Sequence, residues 1–312
     1  MAMAKLRFHL REPAVDTNRP ITDGTVKVEG FELELLAERA GADAWDAGLG
    51  SLLRGRVKGA RHVSIPAFPN RKFRLSYIYV NQAAGIESAR DLEGKRVAVS
   101  SWGNTACMWA KGALQNHYGV DLRRIHWFSR DPGETRVHPE ISIQPLPEDA
   151  DPDSLLARGG LDAVIDPNVL PSITRKDPRV RRLFRDYKAE EQSYYRSTGI
   201  FPISHVITLA GQFVARYPEA PVALLRAYRR ARDAALERIE GMDPQLIIIS
   251  WANALLDEQR ALMGENYWPY NLEENRRPLE AITCFAHEQG VTPERIHYEE
   301  LFSPQAAALP GR

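Results

Sequence analysis

Apolar and polar positions change places in short runs over the first half of the chain and in longer helical stripes over the last third. Residues 5–10 (KLRFHL) alternate as a half-buried strand does, residues 25–36 hold two more β-like runs around Gly30, and strand-like stretches return at 63–67 and 76–80. Residues 43–54 read as a helix, with Asp43 and Asp46 flanking Trp45 where they could cap its start. After Arg90 the rhythm becomes strand, helix, strand: 97–99, 103–118 and 124–128, followed by 161–165 beyond a short helix near Leu155. This alternation predicts parallel α/β units. From Ala215 onward the pattern is helical, with 222–239, 244–256 and 272–288 separated by glycine and proline. The proline- and charge-rich stretch 130–147 reads as an exposed loop.

These elements predict an α/β protein, and a chain that builds one lobe, crosses to a second near residue 92 and returns near residue 200 would make a cleft between them. Residues 1–92 would build the first lobe, 93–200 the second, and 201–312 would return to the first and add the C-terminal helices. A cleft of that kind favours a small ligand.

Composition narrows the classes. With 312 residues and 44% hydrophobic side chains the chain can bury a substantial core and divide into roughly two domains. Forty-one basic residues balance forty-one acidic ones, so no global field gathers nucleic acid or an anionic membrane. An anionic ligand must be caught locally. Cys107 and Cys284 are too few and too far apart for a disulfide framework or a zinc knuckle. The N-terminal residues carry no continuous apolar run, and no segment reaches the ~20 apolar residues of a membrane span, so a cytoplasmic protein is expected.

The segment 91–114 (DLEGKRVAVSSWGNTACMWAKGAL) offers such a local seat. A strand runs directly into the start of a helix, where unpaired N–H groups and the positive end of the dipole favour a carboxylate or phosphate. Ser101, Asn104 and Thr105 could add side-chain donors, and Trp102 would shape the pocket.

Four separated blocks then carry a family likeness. IPAFPNRKFRLSYIYVN (65–81), DLEGKRVAV (91–99), YYRSTGIFPISHVI (194–207) and LMGENYWPYNLEENRRPLE (262–280) together resemble the 4,5-dihydroxyphthalate decarboxylase family, in register over roughly residues 60–303. The resemblance implies a type II periplasmic-binding-protein-like fold, an α/β protein of two Rossmann-like lobes around a central cleft, and a carboxy-lyase of aromatic catabolism, such as phthalate degradation. It further implies that no metal or cofactor takes part and that the partner is a small aromatic carboxylate rather than nucleic acid or membrane; a homo-oligomer is compatible with it. Leu75, the stretch 101–104 and the segment 167–169 depart from the family pattern.

The chemistry sets its own requirements. Direct loss of CO2 from an arenecarboxylate would leave an aryl carbanion, so the ring carbon bearing the carboxylate is protonated first, with electron release from an ortho or para hydroxyl. That needs a proton donor, an acceptor for the phenol proton and cations for carboxylate. His205, in FPISHVI, is the first choice as donor, because an unperturbed imidazole titrates at about 6.5; His62 is the second. Asp166, after the strand LDAVI, could accept the phenol proton with Asn168 beside it. Arg71 and Arg74, in PNRKFR, present the planar fork that matches a carboxylate. Tyr195 and Arg196, with Tyr194 and Thr198, lie near the return crossing where they could reach the ligand. ENYWPY (265–270) reads as packing between lobes. The competing reading is a solute-binding protein of the same fold that holds a small carboxylate without chemistry; a third is a biosynthetic enzyme using the cleft for another carbon acid.

Overall fold

The computed structural model describes residues 3–131, 140–241 and 249–311. The first strands are β1 (Ala4–His9), β2 (Phe31–Leu36), β3 (Ala44–Gly48) and β4 (His62–Ile65). Next come β5 (Ile78–Asn81), β6 (Arg96–Val99), β7 (His126–Ser129), β8 (Ile143–Pro145), β9 (Ala163–Ile165) and β10 (Val180–Arg182), and β11 (His205–Ala210) closes the set. They form two sheets, ordered β2-β1-β3-β11-β4 and β10-β5-β9-β6-β7-β8. Each sheet carries helices, giving the expected α/β architecture of two lobes.

The parallel units hold for β1, β2 and β3 in one lobe and for β6, β7, β8 and β9 in the other. Each strand that follows a crossing between lobes runs the other way: β5 is antiparallel to β9 and β10, and β11 is antiparallel to β3 and β4. The first crossing therefore falls between Ile65 and Ile78, ahead of the boundary expected at residue 92, because β5 already hydrogen-bonds within the second sheet. The two connecting segments lie side by side, with an Arg71–Ile203 bridge and Lys72 N–H donating to the Pro202 carbonyl.

Residues 43–54 are corrected more sharply. Their first half is the strand β3, and the helix begins only at Leu49 (Leu49–Val57). β3 is flanked by β1 and β11, so four of its five residues are buried and no two-residue alternation survives to reveal it. Asp43 does not cap a helix either: its carboxylate takes Arg7 N–H and both ends of the Arg7 guanidinium fork, at 2.9–3.0 Å. Of the two β-like runs expected at 25–36, only Phe31–Leu36 forms a strand. The helix expected at 103–118 spans Thr105–Asn116. The loop 130–147 and the helix 244–256 lie partly outside the described residues; what is described of the latter is Ala252–Met263.

One apolar cluster runs through both lobes, joining Leu6, Phe8 and Ile65 of the first to Val97, Trp102 and Trp127 of the second through Trp109, Leu279 and Phe285. A smaller one, with Tyr79, Leu156 and Val164, fills the outer face of the second sheet. The helix Arg276–Glu288 packs on one helix from each lobe, Leu49–Val57 and Thr105–Asn116, and brings the starts of those two helices together.

Candidate active site

The starts of those two helices make the floor of the site. Gly50 N–H donates to Thr105 Oγ1 at 2.9 Å, and Leu49 N–H donates to the Ser204 carbonyl at 3.1 Å. Glycines permit this approach: a Cβ at Gly50 would collide with the Gly103 carbonyl, and one at Gly48 would meet Thr105 Oγ1 at 3.1 Å and His205 Cδ2 at 3.9 Å. His205, Gly48 and Thr105 thus come close to one another between the lobes.

His205 begins β11 at a bulge. The N–H groups of Ser204 and His205 both donate to the Asn70 carbonyl, so two residues oppose one and the strict alternation of side chains is broken there. The imidazole Nδ1 lies 3.1 Å from Asp46 Oδ2, and Asp46 Oδ1 accepts from Arg11 N–H at 2.9 Å. Asp46 is buried, its side chain only 2% exposed, whereas His205 keeps 15%. Nε2 makes no hydrogen bond among the described residues. Asp46, read from sequence as a helix cap, is instead the partner of the leading proton donor; only the β3–β11 pairing, 159 residues apart in the chain, brings the two together.

His62 sits at the other end of the same sheet. Its strand partner is Ala210, five residues beyond His205, or about 17 Å along a strand. There it meets the Trp45 ring edge-on at 4.9 Å, and burial lowers its pKa.

The two arginines part company. Arg74 reaches the site: Nη2 donates to Ser204 Oγ at 2.7 Å and Nη1 to the Pro167 carbonyl at 3.2 Å, which ties β11 to the end of β9. Arg71 turns away, donating to Asn275 Oδ1 and the Phe201 carbonyl at 2.8 Å each and lying over the Phe201 ring at 4.6 Å. It lines a separate 230 Å³ cavity with Tyr195, Gly199 and Tyr267, and burial with no anionic partner pushes its pKa down to about 9. The two guanidiniums therefore do not converge on one point: Arg74 lies against Ser204 and Pro167, and Arg71 against Asn275 and Phe201.

Asp166 follows β9, half-buried beside Pro167. Burial raises its carboxyl above the usual value, although the Asn168 N–H donates to it at 2.8 Å and opposes that shift. The Asn168 side chain is exposed. The expected anion seat is largely filled: Asn104 caps the helix itself, its Oδ1 accepting from Ala106 and Cys107 N–H, and Thr105 Oγ1 is engaged by Gly50. Ser101 is half-buried in the same turn. Trp102 does not reach the cleft. It is buried in the core with its Nε1–H on the Gln289 carbonyl, because its position points it behind the turn toward Arg276–Glu288.

Tyr195 packs on Phe73 with ring centroids 6.4 Å apart, while Arg196 is exposed on the helix Tyr187–Thr198 and donates to Gln192 at 3.4 Å. In the ENYWPY segment Trp268 donates to the Phe68 carbonyl, in line with the packing role expected of it. Among the described residues no three His, Cys, Asp or Glu side chains cluster to hold a metal ion, and no helix is long and apolar enough to cross a membrane.

No protein-family model matches the chain. A 4,5-dihydroxyphthalate decarboxylase of Comamonas testosteroni is 29% identical over 324 residues, covering 97% of this chain and 98% of that protein. A protein of the same name from Pseudomonas putida is 29% identical over 199 residues, 57% of this chain and 77% of its own. Among solved structures, the periplasmic sulfonate-binding protein SsuA of Methylobacillus flagellatus aligns with a TM-score of 0.56 at 13% identity, covering 98% of this chain and 93% of that one. The alkanesulfonate-binding SsuA of Xanthomonas axonopodis pv. citri aligns with a TM-score of 0.53 at 14% identity, covering 96% and 98%. At such identities the structural likeness shows the fold alone. The four sequence blocks and the whole-length alignment agree on the rest: the chain resembles the 4,5-dihydroxyphthalate decarboxylase family from end to end, on the two-lobed fold of the periplasmic binding proteins.

Proposed function

We propose that this chain is a carboxy-lyase that removes CO2 from a hydroxylated aromatic carboxylate of the 4,5-dihydroxyphthalate kind. The observation that carries the reading is its whole-length similarity to a protein so named. The pairing of His205 with buried Asp46 where Gly48 and Thr105 come close, with Arg74 at the adjoining bulge, supports it.

In this reading Arg74 exchanges its neutral partners for a substrate carboxylate, a charge-assisted bond worth more than the ones it gives up. His205 donates its Nε2 proton to the ring carbon that bears the leaving carboxylate, forming the new C–H bond. Asp166 takes the phenol proton, so the ring passes through a dienone. The electrons of the C–CO2 bond then restore aromaticity as CO2 departs, and the phenolate recovers its proton from Asp166. One proton is consumed overall, and solvent returns it to His205. In this reading Ser101, Thr105 and Asn168 serve as hydrogen-bonding groups toward the substrate.

Purified protein offered a panel of ortho- and para-hydroxylated aromatic carboxylates is expected to release CO2 from at least one, measured by coupled carbonate assay. His205→Ala is expected to lower that turnover by at least ~100-fold, the ordinary contribution of a general acid. Tight binding across the panel with no CO2 released would replace this reading with a solute-binding protein.

A further inference from the structure

We propose that Asp46 is the positioning residue for His205: it holds the neutral imidazole as the Nδ1–H tautomer and makes Nε2, on the ring edge beside Gly48 and Thr105, the atom that carries the proton. The inference rests on the decarboxylase reading for its catalytic consequence, but its geometry stands apart from it. Asp46 Oδ2 lies 3.1 Å from Nδ1, and nothing else among the described residues bonds to the ring. The carboxylate cannot turn away, because Oδ1 is held by Arg11 N–H at 2.9 Å and the side chain is 2% exposed.

An ionised carboxylate only accepts hydrogen bonds, so the ring nitrogen facing it must carry a hydrogen. The other nitrogen then bears the hydrogen only when the ring is charged. Cδ2, which is bonded to Nε2, is the ring atom nearest the position of a Gly48 Cβ, at 3.9 Å, and Thr105 Oγ1 lies 3.1 Å from that same position. The proton-carrying edge therefore lies toward Gly48 and Thr105, while the Nδ1 edge meets Asp46. Gly48 is extended (φ −66°, ψ 134°), a backbone conformation open to any residue, so its lack of a side chain serves the close approach of Thr105 rather than backbone conformation.

In the step, the imidazolium loses its Nε2 proton to the substrate ring carbon and relaxes to the neutral Nδ1–H form without changing its bond to Asp46. No heavy atom needs to move. Without the carboxylate, the ring is free to rotate or to adopt the Nε2–H tautomer, which is a poor acid.

The test is ¹⁵N NMR of the imidazoles in the intact protein, assigned with His205→Gln, beside the kinetics of Asp46→Asn. In the wild type above the imidazole titration, His205 is expected to show a pyrrole-type Nδ1 and a pyridine-type Nε2. Asp46→Asn keeps an acceptor for Arg11 and is expected to shift the ring toward the Nε2–H tautomer and to lower turnover at least ~100-fold, with KM changed less than about threefold. A pyridine-type Nδ1 in the wild type would overturn the proposal, as would Asp46→Asn with wild-type tautomer and turnover. The wild-type spectrum requires no variant to fold. Because it also requires no substrate, a failure to find CO2 release leaves this result intact and counts against the decarboxylase reading alone.

Discussion

Asp166 illustrates how one residue can trade stability for chemistry. Burial raises its carboxyl above the ordinary value of 3.8, so the folded protein binds that proton more tightly than the unfolded chain does. A group of this kind favours folding in acid and opposes it once the pH passes its folded value. Asp166→Asn, which can still accept from Asn168 N–H, is expected to melt above the parent at pH 7, and the gain should shrink as the pH falls toward 3.8. Melting scans at several pH values check this, and a constant difference would reject it. The same substitution removes the proposed phenol-proton acceptor, so higher stability should come with lower turnover. His205 and Asp166 stand out in the sequence as candidates because each is a titratable residue beside a strand. Asp46 was not: an Asp next to an aromatic residue looks like a cap until β11 arrives beside it.

At the scale of elements, the contact between the helices Thr105–Asn116 and Arg276–Glu288 depends on Gly112, where a Cβ would overlap the Phe285 ring. Two effects compete in Gly112→Ala. Helix propensity favours alanine by about 1 kcal/mol, whereas forcing a methyl group into a filled interface costs about 1–3 kcal/mol. Phe285 is itself held edge-on to Trp109 at 5.7 Å, so it has little room to retreat. Net destabilisation is expected, visible as a lower urea midpoint at unchanged slope; a raised midpoint would show that the ring repacks freely. The strands at 5–10 and 97–99 were readable because their apolar patterns are local. β3 was not, since burial on both sides erased its alternation, and Asp46 within it and Asp43 just ahead of it find partners only in the folded sheet.

For the whole molecule, Arg74 joins the lobes through Ser204 of the return segment and Pro167 of the second lobe. A ligand carboxylate that engages it should stabilise the closed arrangement, and an acid at 100 times its Kd adds about 2.7 kcal/mol. Thermal shift with a bound aromatic carboxylate is expected in the wild type and should largely disappear in Arg74→Ala, while Arg71→Ala should lower the melting point of the free protein without abolishing the ligand's shift. The reverse pattern would return the anchoring role to Arg71. By itself, the sequence determined the two-lobed α/β class, the family likeness and the residue types that the chemistry requires, because strand–helix rhythm and motif spacing are properties of neighbours along the chain. Only the tertiary structure decided where the chain crosses, that Arg71 and Arg74 turn to different partners, that Trp102 is core and that Asp46 lies against the His205 imidazole. Those outcomes depend on which distant strands become neighbours and on which face of a turn each side chain leaves.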